Sequence, residues 1–131
     1  MSLYLLDTNH ASDIFRHRAG LTEKLRAHPN DRFGIPAPSV GELWYMVFNS
    51  ARVAENTKRL YEVLSDFLLV DYDEQAVIEF GRLKAELRRS GTMIGDVDIQ
   101  IAAIARSQGL VLLTGDAHFG YVSGLQTENW I

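Results

Sequence analysis

The sequence predicts an α/β domain of three layers: a central, mainly parallel sheet of four to five short strands, covered by helices on both faces. Three observations carry this. Short apolar runs recur at 2–6, 32–36, 68–71 and 110–114, and between them the apolar residues switch to helical spacing. Runs such as Leu3 to Leu6 and "LVLLT" show no polar alternation, as expected of strands covered on both sides. Strands alternating with helices are the pattern of βα units, which build parallel sheets.

Each element follows in order. The first strand, residues 2–6 (SLYLL), runs into Asp7, and short helices are expected over 9–17 and 20–28, separated at Gly20. "RFGIP", 32–36, is the second strand. In the following "PAPSVGELWYMVFNS", the residues Val40, Leu43, Trp44, Val47 and Phe48 keep the i, i+3, i+4, i+7, i+8 rule of an amphipathic helix. Tyr45 and Met46 fall outside that stripe, so the helix is expected to be enclosed on two sides, the alternative being a partner surface. A helix over 53–67 aligns Leu60, Leu64 and Phe67, and a strand follows at 68–71. Ala76, Phe80, Leu83 and Leu87 mark a helix that stops at Gly91, the residue type favoured just past a helix end. Residues 96–108 are apolar nearly all round, which predicts a central helix closed by Gly109. "LVLLT", 110–114, is the clearest buried strand, and Trp130 is expected to pin "LQTENWI" to the sheet as a last edge strand.

Bulk properties limit the functions open to this fold. A chain of 131 residues with 47% hydrophobic composition is one domain, 1–131, able to bury roughly two thirds of its unfolded surface without a staple. The absence of cysteine removes disulfides, thiolate zinc sites and Cys nucleophiles. No apolar run reaches the ~18 residues of a membrane span, and no secretory leader pattern is present, so a soluble cytoplasmic protein is expected. The net charge of −4, from 13 Lys plus Arg against 17 Asp plus Glu, argues against a broad electrostatic grip on nucleic acid. Any polyanion must be held locally. The densest basic stretch, "KAELRRSG", is read first as a solvated helix face and second as an RNA contact through Lys84, Arg88 and Arg89.

The acids carry the chemistry. In open parallel sheets the ligand crevice lies beyond the carboxyl ends of the strands. Asp7 and Asp116 stand at such ends, Glu42 is expected in the first turn of the helix after "FGIP", and Asp96 and Asp98 in the first turn of the central helix. Each has an ordinary structural role available: Asp7 as a turn or cap, Ser39-x-x-Glu42 as a capping box, Asp96 after Gly95 as an N-cap, Thr114-Gly115-Asp116 as a turn. Their expected convergence on one rim favours a shared function. Carboxylates crowded together raise one another's pKa until a proton or cation intervenes. The four histidines have no ligand spacing, so the site favours Mg²⁺ or Mn²⁺ over Zn²⁺. The N-terminus of the helix beneath Asp98 helps keep that acid ionised. Such a site suits hydrolysis of a phosphodiester or a phosphomonoester. Neither a G-x-S-x-G elbow nor a P-loop competes.

"LLDTN", "SVGELWY", "IGDVDIQIAAIA" and "LVLLTGDAHF", in that order and spanning nearly the whole chain, resemble the four blocks of PIN-domain ribonucleases, especially VapC-type toxins of bacterial toxin–antitoxin pairs. The resemblance implies a PIN-like fold and a Mg²⁺- or Mn²⁺-dependent endoribonuclease acting on RNA, often structured RNA such as tRNA. It also implies a homodimer held inactive by a cognate VapB-like antitoxin. Residue by residue, it assigns the catalytic and metal-binding acids to Asp7, Glu42, Asp98 and Asp116, with Asn9 and Thr114 as supporting polar residues. The family often has Asn at the last acidic position, so Asp116 would bind metal, position water, or both. Asp96 is auxiliary, because residues two apart on a helix point about 200° from each other. Two other readings stay open. A phosphatase or phospho-acceptor domain also places Asp at strand ends, although "LLDTN" lacks a D-x-D pair and no Lys ends the last apolar strand. A non-catalytic binding module would use the acidic rim to receive basic side chains. His118-Phe119 is read as a loop pair with Phe119 inward, and His10, His17 and His28 as surface or helix residues.

Overall fold

A computed structural model of the chain describes residues 2–17 and 19–131. Strands β1 (Leu3–Leu6), β2 (Arg32–Pro36), β3 (Leu68–Val70), β4 (Val111–Leu113) and β5 (Thr127–Glu128) form one sheet in the order β3-β2-β1-β4-β5, every neighbouring pair parallel. Helices α1 (Thr8–Phe15), α2 (Ala19–Arg26), α3 (Ala37–Phe48), α4 (Val53–Leu64), α5 (Glu74–Ser90) and α6 (Asp96–Gln108) connect them, with a short 3-10 helix at Ala117–Tyr121 after β4. The chain starts in the middle of the sheet, builds outward through β2 and β3, then crosses to β4 and β5 on the other side. The order therefore reverses between β1 and β4, and a crevice opens beyond the carboxyl ends of these two strands.

Strand geometry explains the three layers. Successive side chains on a strand point to opposite faces, so each apolar strand feeds two cores. Leu5 and Leu112 join Leu83, Leu87, Ile99, Ile101, Ala102 and Phe119 beneath α5 and α6. Leu6 and Leu113 join Ala11, Phe15, Ile35, Leu43, Val47 and Leu60 on the opposite face, beneath α1, α3 and α4. The central helix is as enclosed as its composition predicts: Ile99 and every residue from Ile101 to Ala105 are fully buried. Each buried Leu or Ile contributes roughly 1.5–3 kcal/mol. Arg106 clips the far end of α6 in place, donating to Glu79 Oε1 at 2.6 Å, to Glu86 Oε2 at 3.0 Å and to the Ser123 carbonyl at 3.1 Å. Desolvation acts to lower the Arg106 pKa, but the hydrogen bonds to Glu86 and Glu79 together with their charges outweigh it, and the net shift is upward. Gly91 and Gly109 close α5 and α6 with φ of 70° and 66°, the left-handed region where glycine carries no Cβ penalty.

Three expectations need correction. Gly20 lies inside α2 rather than between helices; α1 already ends at Phe15, and His17 has a φ of 56°. The α3 face outside the core is open, with Tyr45 68% exposed, and Phe48, assigned to the stripe, is 66% exposed. Met46 alone of the two off-stripe residues packs against the core. The tail behaves as expected: β5 pairs with β4, and the Trp130 ring lies 5.1 Å from Tyr4 and 4.6 Å from His28.

Candidate active site

Asp7 follows β1 directly and stands where the sheet order reverses. Its N–H donates to the Leu113 carbonyl at 3.0 Å, which ties it to the end of β4. The residue is buried, 3% exposed, and its side chain accepts on both oxygens: Oδ1 from the His10 N–H at 2.8 Å, Oδ2 from Thr114 Oγ1 at 2.5 Å. The first of these is an N-cap for α1. Capping and presentation at the rim are thus one arrangement, not alternatives. Thr114 Oγ1 in turn accepts the Asp116 N–H at 3.0 Å, and so links the first and last acids. Asp116 caps the 3-10 helix by accepting the His118 N–H at 2.9 Å, with His118 Nδ1 3.0 Å from the same oxygen.

Glu42 reaches the rim by a different route from the one its spacing suggests. Extended backbone at Pro36 and the proline at 38 start α3 at Ala37, two residues ahead of Ser39. Ser39 is consequently interior and fully buried, Glu42 falls in the second turn, and no capping box forms. A hydrogen bond from Thr8 Oγ1 to Glu42 Oε1 holds the carboxylate instead. Thr8 was not singled out from the sequence, since nothing local distinguishes it; its role comes from a partner 34 residues away. Asn9, expected to support the first acid, is exposed, and its carbonyl receives Ser12 Oγ.

At the start of α6 the two acids part. Gly95 is the N-cap, so Asp96 is the first helical residue and not the cap. Its exposed carboxylate accepts from Lys84 Nζ at 2.9 Å, on α5. Asp98 is half-buried, within the electrostatic reach of the other acids. Burial raises the pKa of its carboxyl, and the charges of Asp116, Glu42 and Asp7 push it further in the same direction, opposed by His118. Four carboxylates drawn from β1, α3, α6 and the end of β4 therefore share one electrostatic field. Of the basic residues considered, Lys84 is committed to Asp96, while Arg88 and Arg89 are exposed in the last turn of α5.

The donor set fits a hydrated divalent cation. Among the described residues, no three His, Asp or Glu side chains stand close enough to clasp an ion unaided. Small hard cations such as Mg²⁺ keep several waters and need only one or two direct carboxylates. Excess negative charge at Asp98, together with acids fixed around it by Thr8 and Thr114, meets that requirement.

Comparisons with known proteins place the chain in a family. Residues 4–125 match the PIN domain. The chain is 35% identical over 133 residues to ribonuclease VapC2 of Haemophilus influenzae, with all of both chains covered. It is 31% identical to the tRNA(fMet)-specific endonuclease VapC of Shigella flexneri, covering 99% of each. DNA-bound VapBC from Salmonella typhimurium superposes with a TM-score of 0.93 at 31% identity over the whole of both chains. VapBC2 from Rickettsia felis, bound to a DNA fragment from their promoter, gives 0.93 at 27% identity, covering 98% of this chain and 99% of that one. With a family match over nearly its full length and end-to-end relatives above 30% identity, the chain belongs to the PIN-domain family, among the VapC ribonucleases.

Proposed function

We propose that this protein is a divalent-metal-dependent endoribonuclease, the toxin of a toxin–antitoxin pair, which hydrolyses RNA phosphodiester bonds at the rim formed by Asp7, Glu42, Asp98 and Asp116. The observation that carries the reading is the field these acids exert on Asp98, at the point where the sheet order reverses. PIN-domain nucleases are in general divalent-metal dependent, and the all-carboxylate chemistry favours Mg²⁺ or Mn²⁺. When bound, such an ion neutralises charge on a phosphate oxygen and makes water nucleophilic at neutral pH. Asp7 and Asp98 are its principal ligands, directly or through water. Glu42 and Asp116 complete the shell and orient the attacking water, the Glu42 carboxylate held by Thr8 Oγ1 and the Asp116 main chain by Thr114 Oγ1.

Solved relatives of this chain are VapBC complexes, which supports a VapB-like antitoxin as partner. A homodimer is part of the reading, supported by the exposed aromatic cluster of Tyr45, Phe48 and Tyr61, the last two packed on Trp44 at 5.6 and 5.1 Å. RNA contact falls to Arg88 and Arg89, and structured RNA such as tRNA is the substrate class. Among the described residues no helix is long and apolar enough to cross a membrane.

Chelation tests the centre. The antitoxin-free protein is expected to cut RNA with Mg²⁺ or Mn²⁺, to stop in EDTA, and to recover when the metal is restored; a phosphomonoester assayed alongside stays intact. Cleavage that persists in EDTA contradicts the metal, phosphomonoester turnover favours the phosphatase reading, and intact RNA with metal present favours a binding module. Asp96→Asn is expected to cut RNA within about fivefold of wild type, because an exposed pair with Lys84 is worth at most about 1 kcal/mol. A loss as large as that from altering Asp98 would put Asp96 back among the ligands.

A further inference from the structure

One buried titratable group has no part in the chemistry above. His10, read from the sequence as an ordinary helix or surface residue, is on α1 and fully buried. Its Nε2 accepts the Trp130 backbone N–H at 3.3 Å, across 120 residues of sequence. A neutral imidazole carries one donor and one acceptor nitrogen, so accepting at Nε2 places the proton on Nδ1. That Nδ1 lies 3.3 Å from Asp7 Oδ1 and has no aligned hydrogen-bond partner among the described residues. A buried donor left beside a carboxylate gains its partner by a small rotation of either group. The tautomer is fixed from far away, because Trp130 is itself clamped between the rings of Tyr4, Phe33 and His28.

We infer that His10 is a positioning residue for the cation site: the Trp130 main chain, 3.3 Å from Nε2, holds it as the Nδ1–H tautomer, and the fully buried ring sets that proton beside Asp7 Oδ1, 3.3 Å away and a small rotation from alignment. Asp7 then has each oxygen oriented from the side away from solvent, Oδ1 by His10 and Oδ2 by Thr114. The aromatic clamp at the C-terminal end thereby governs a carboxylate at the N-terminal end. Partners that orient a metal-ligating group typically change metal affinity 10- to 100-fold when lost. The inference rests on the reading of Asp7 as a cation ligand.

The test combines tautomer and affinity. Long-range ¹⁵N–¹H spectra of the wild-type protein are expected to show His10 protonated at Nδ1 alone; a spectrum with Nε2 protonated overturns the inference without any variant. Asn at this position puts its amide where Nδ1 stood, whereas Gln reaches the place of Nε2. His10→Asn should therefore retain most of the Mn²⁺ affinity measured by calorimetry, and His10→Gln and His10→Ala should lose about tenfold. A purely structural role would lower the melting temperatures of these variants without separating their Mn²⁺ affinities, and that outcome overturns the inference. Asp7→Asn is the control. If it binds Mn²⁺ as wild type does, the cation reading of Asp7 fails and takes this inference with it; if it binds weakly while His10→Gln binds normally, the role of His10 alone fails.

Discussion

Asp7→Asn is expected to lower RNA cleavage by about 10²- to 10³-fold or more while leaving the protein folded. The expected separation follows from the two jobs of the residue. Asn caps a helix as well as Asp does, so the His10 N–H keeps its acceptor. The new amide donor meets Thr114 Oγ1, whose hydroxyl can turn to receive it. What is lost is the charge. Asp7→Ala gives a different result: cleavage is lost as well, and the buried donors of His10 and Thr114 are orphaned, which costs about 1–3 kcal/mol. Cleavage assays paired with thermal melts distinguish the two. An Asn variant that unfolds as readily as the Ala variant would show that the carboxylate serves the fold alone.

Asp98→Asn is expected to move activity and stability in opposite directions. Cleavage should fall by about 10²-fold or more, and in EDTA at neutral pH the variant should melt above wild type. The sign comes from linkage. Burial and the charges of Asp116, Glu42 and Asp7 raise the Asp98 pKa in the folded protein, so the folded state holds that proton more tightly than the unfolded chain does. The stability this proton gives is fully present below the unfolded carboxylate pKa and is lost as pH rises through the raised folded value. At neutral pH wild type therefore carries an ionised carboxylate at a cost, and Asn stands in for the protonated form. The melting gap should close as pH falls through that window. Mg²⁺ should also narrow it, since a ligand that binds only the folded wild type stabilises it. A gap independent of pH would mean that Asn stabilises by packing and not by charge.

The rim was legible where its cause is local. Asp7 and Asp116 stand out because each ends an apolar run that can only be a covered strand, and the two-residue spacing of Asp96 and Asp98 correctly sends them apart. Helix periodicity exposed the central α6 for the same reason: enclosure shows in composition. Several of the failures involve partners distant in sequence or backbone starts that spacing does not reveal. Ser39-x-x-Glu42 has the letters of a capping box, but the prolines at 36 and 38 begin the helix earlier. Phe48 satisfies the i, i+8 rule and still faces outward, stacked on Trp44, although Val47 beside it is buried. Thr8 and His10 gain their roles from Glu42 and Trp130, and a one-dimensional reading gives no reason to pair them.

The position of β1 in mid-sheet has a consequence for timing. Asp7 is synthesised well before its partners: the hydroxyl that steadies its Oδ2 comes 107 residues later, and Trp130 later still. Contacts so far apart in sequence form slowly and late. A chain emerging from the ribosome therefore presents Asp7 without an assembled centre until Thr114 and then Trp130 have followed it.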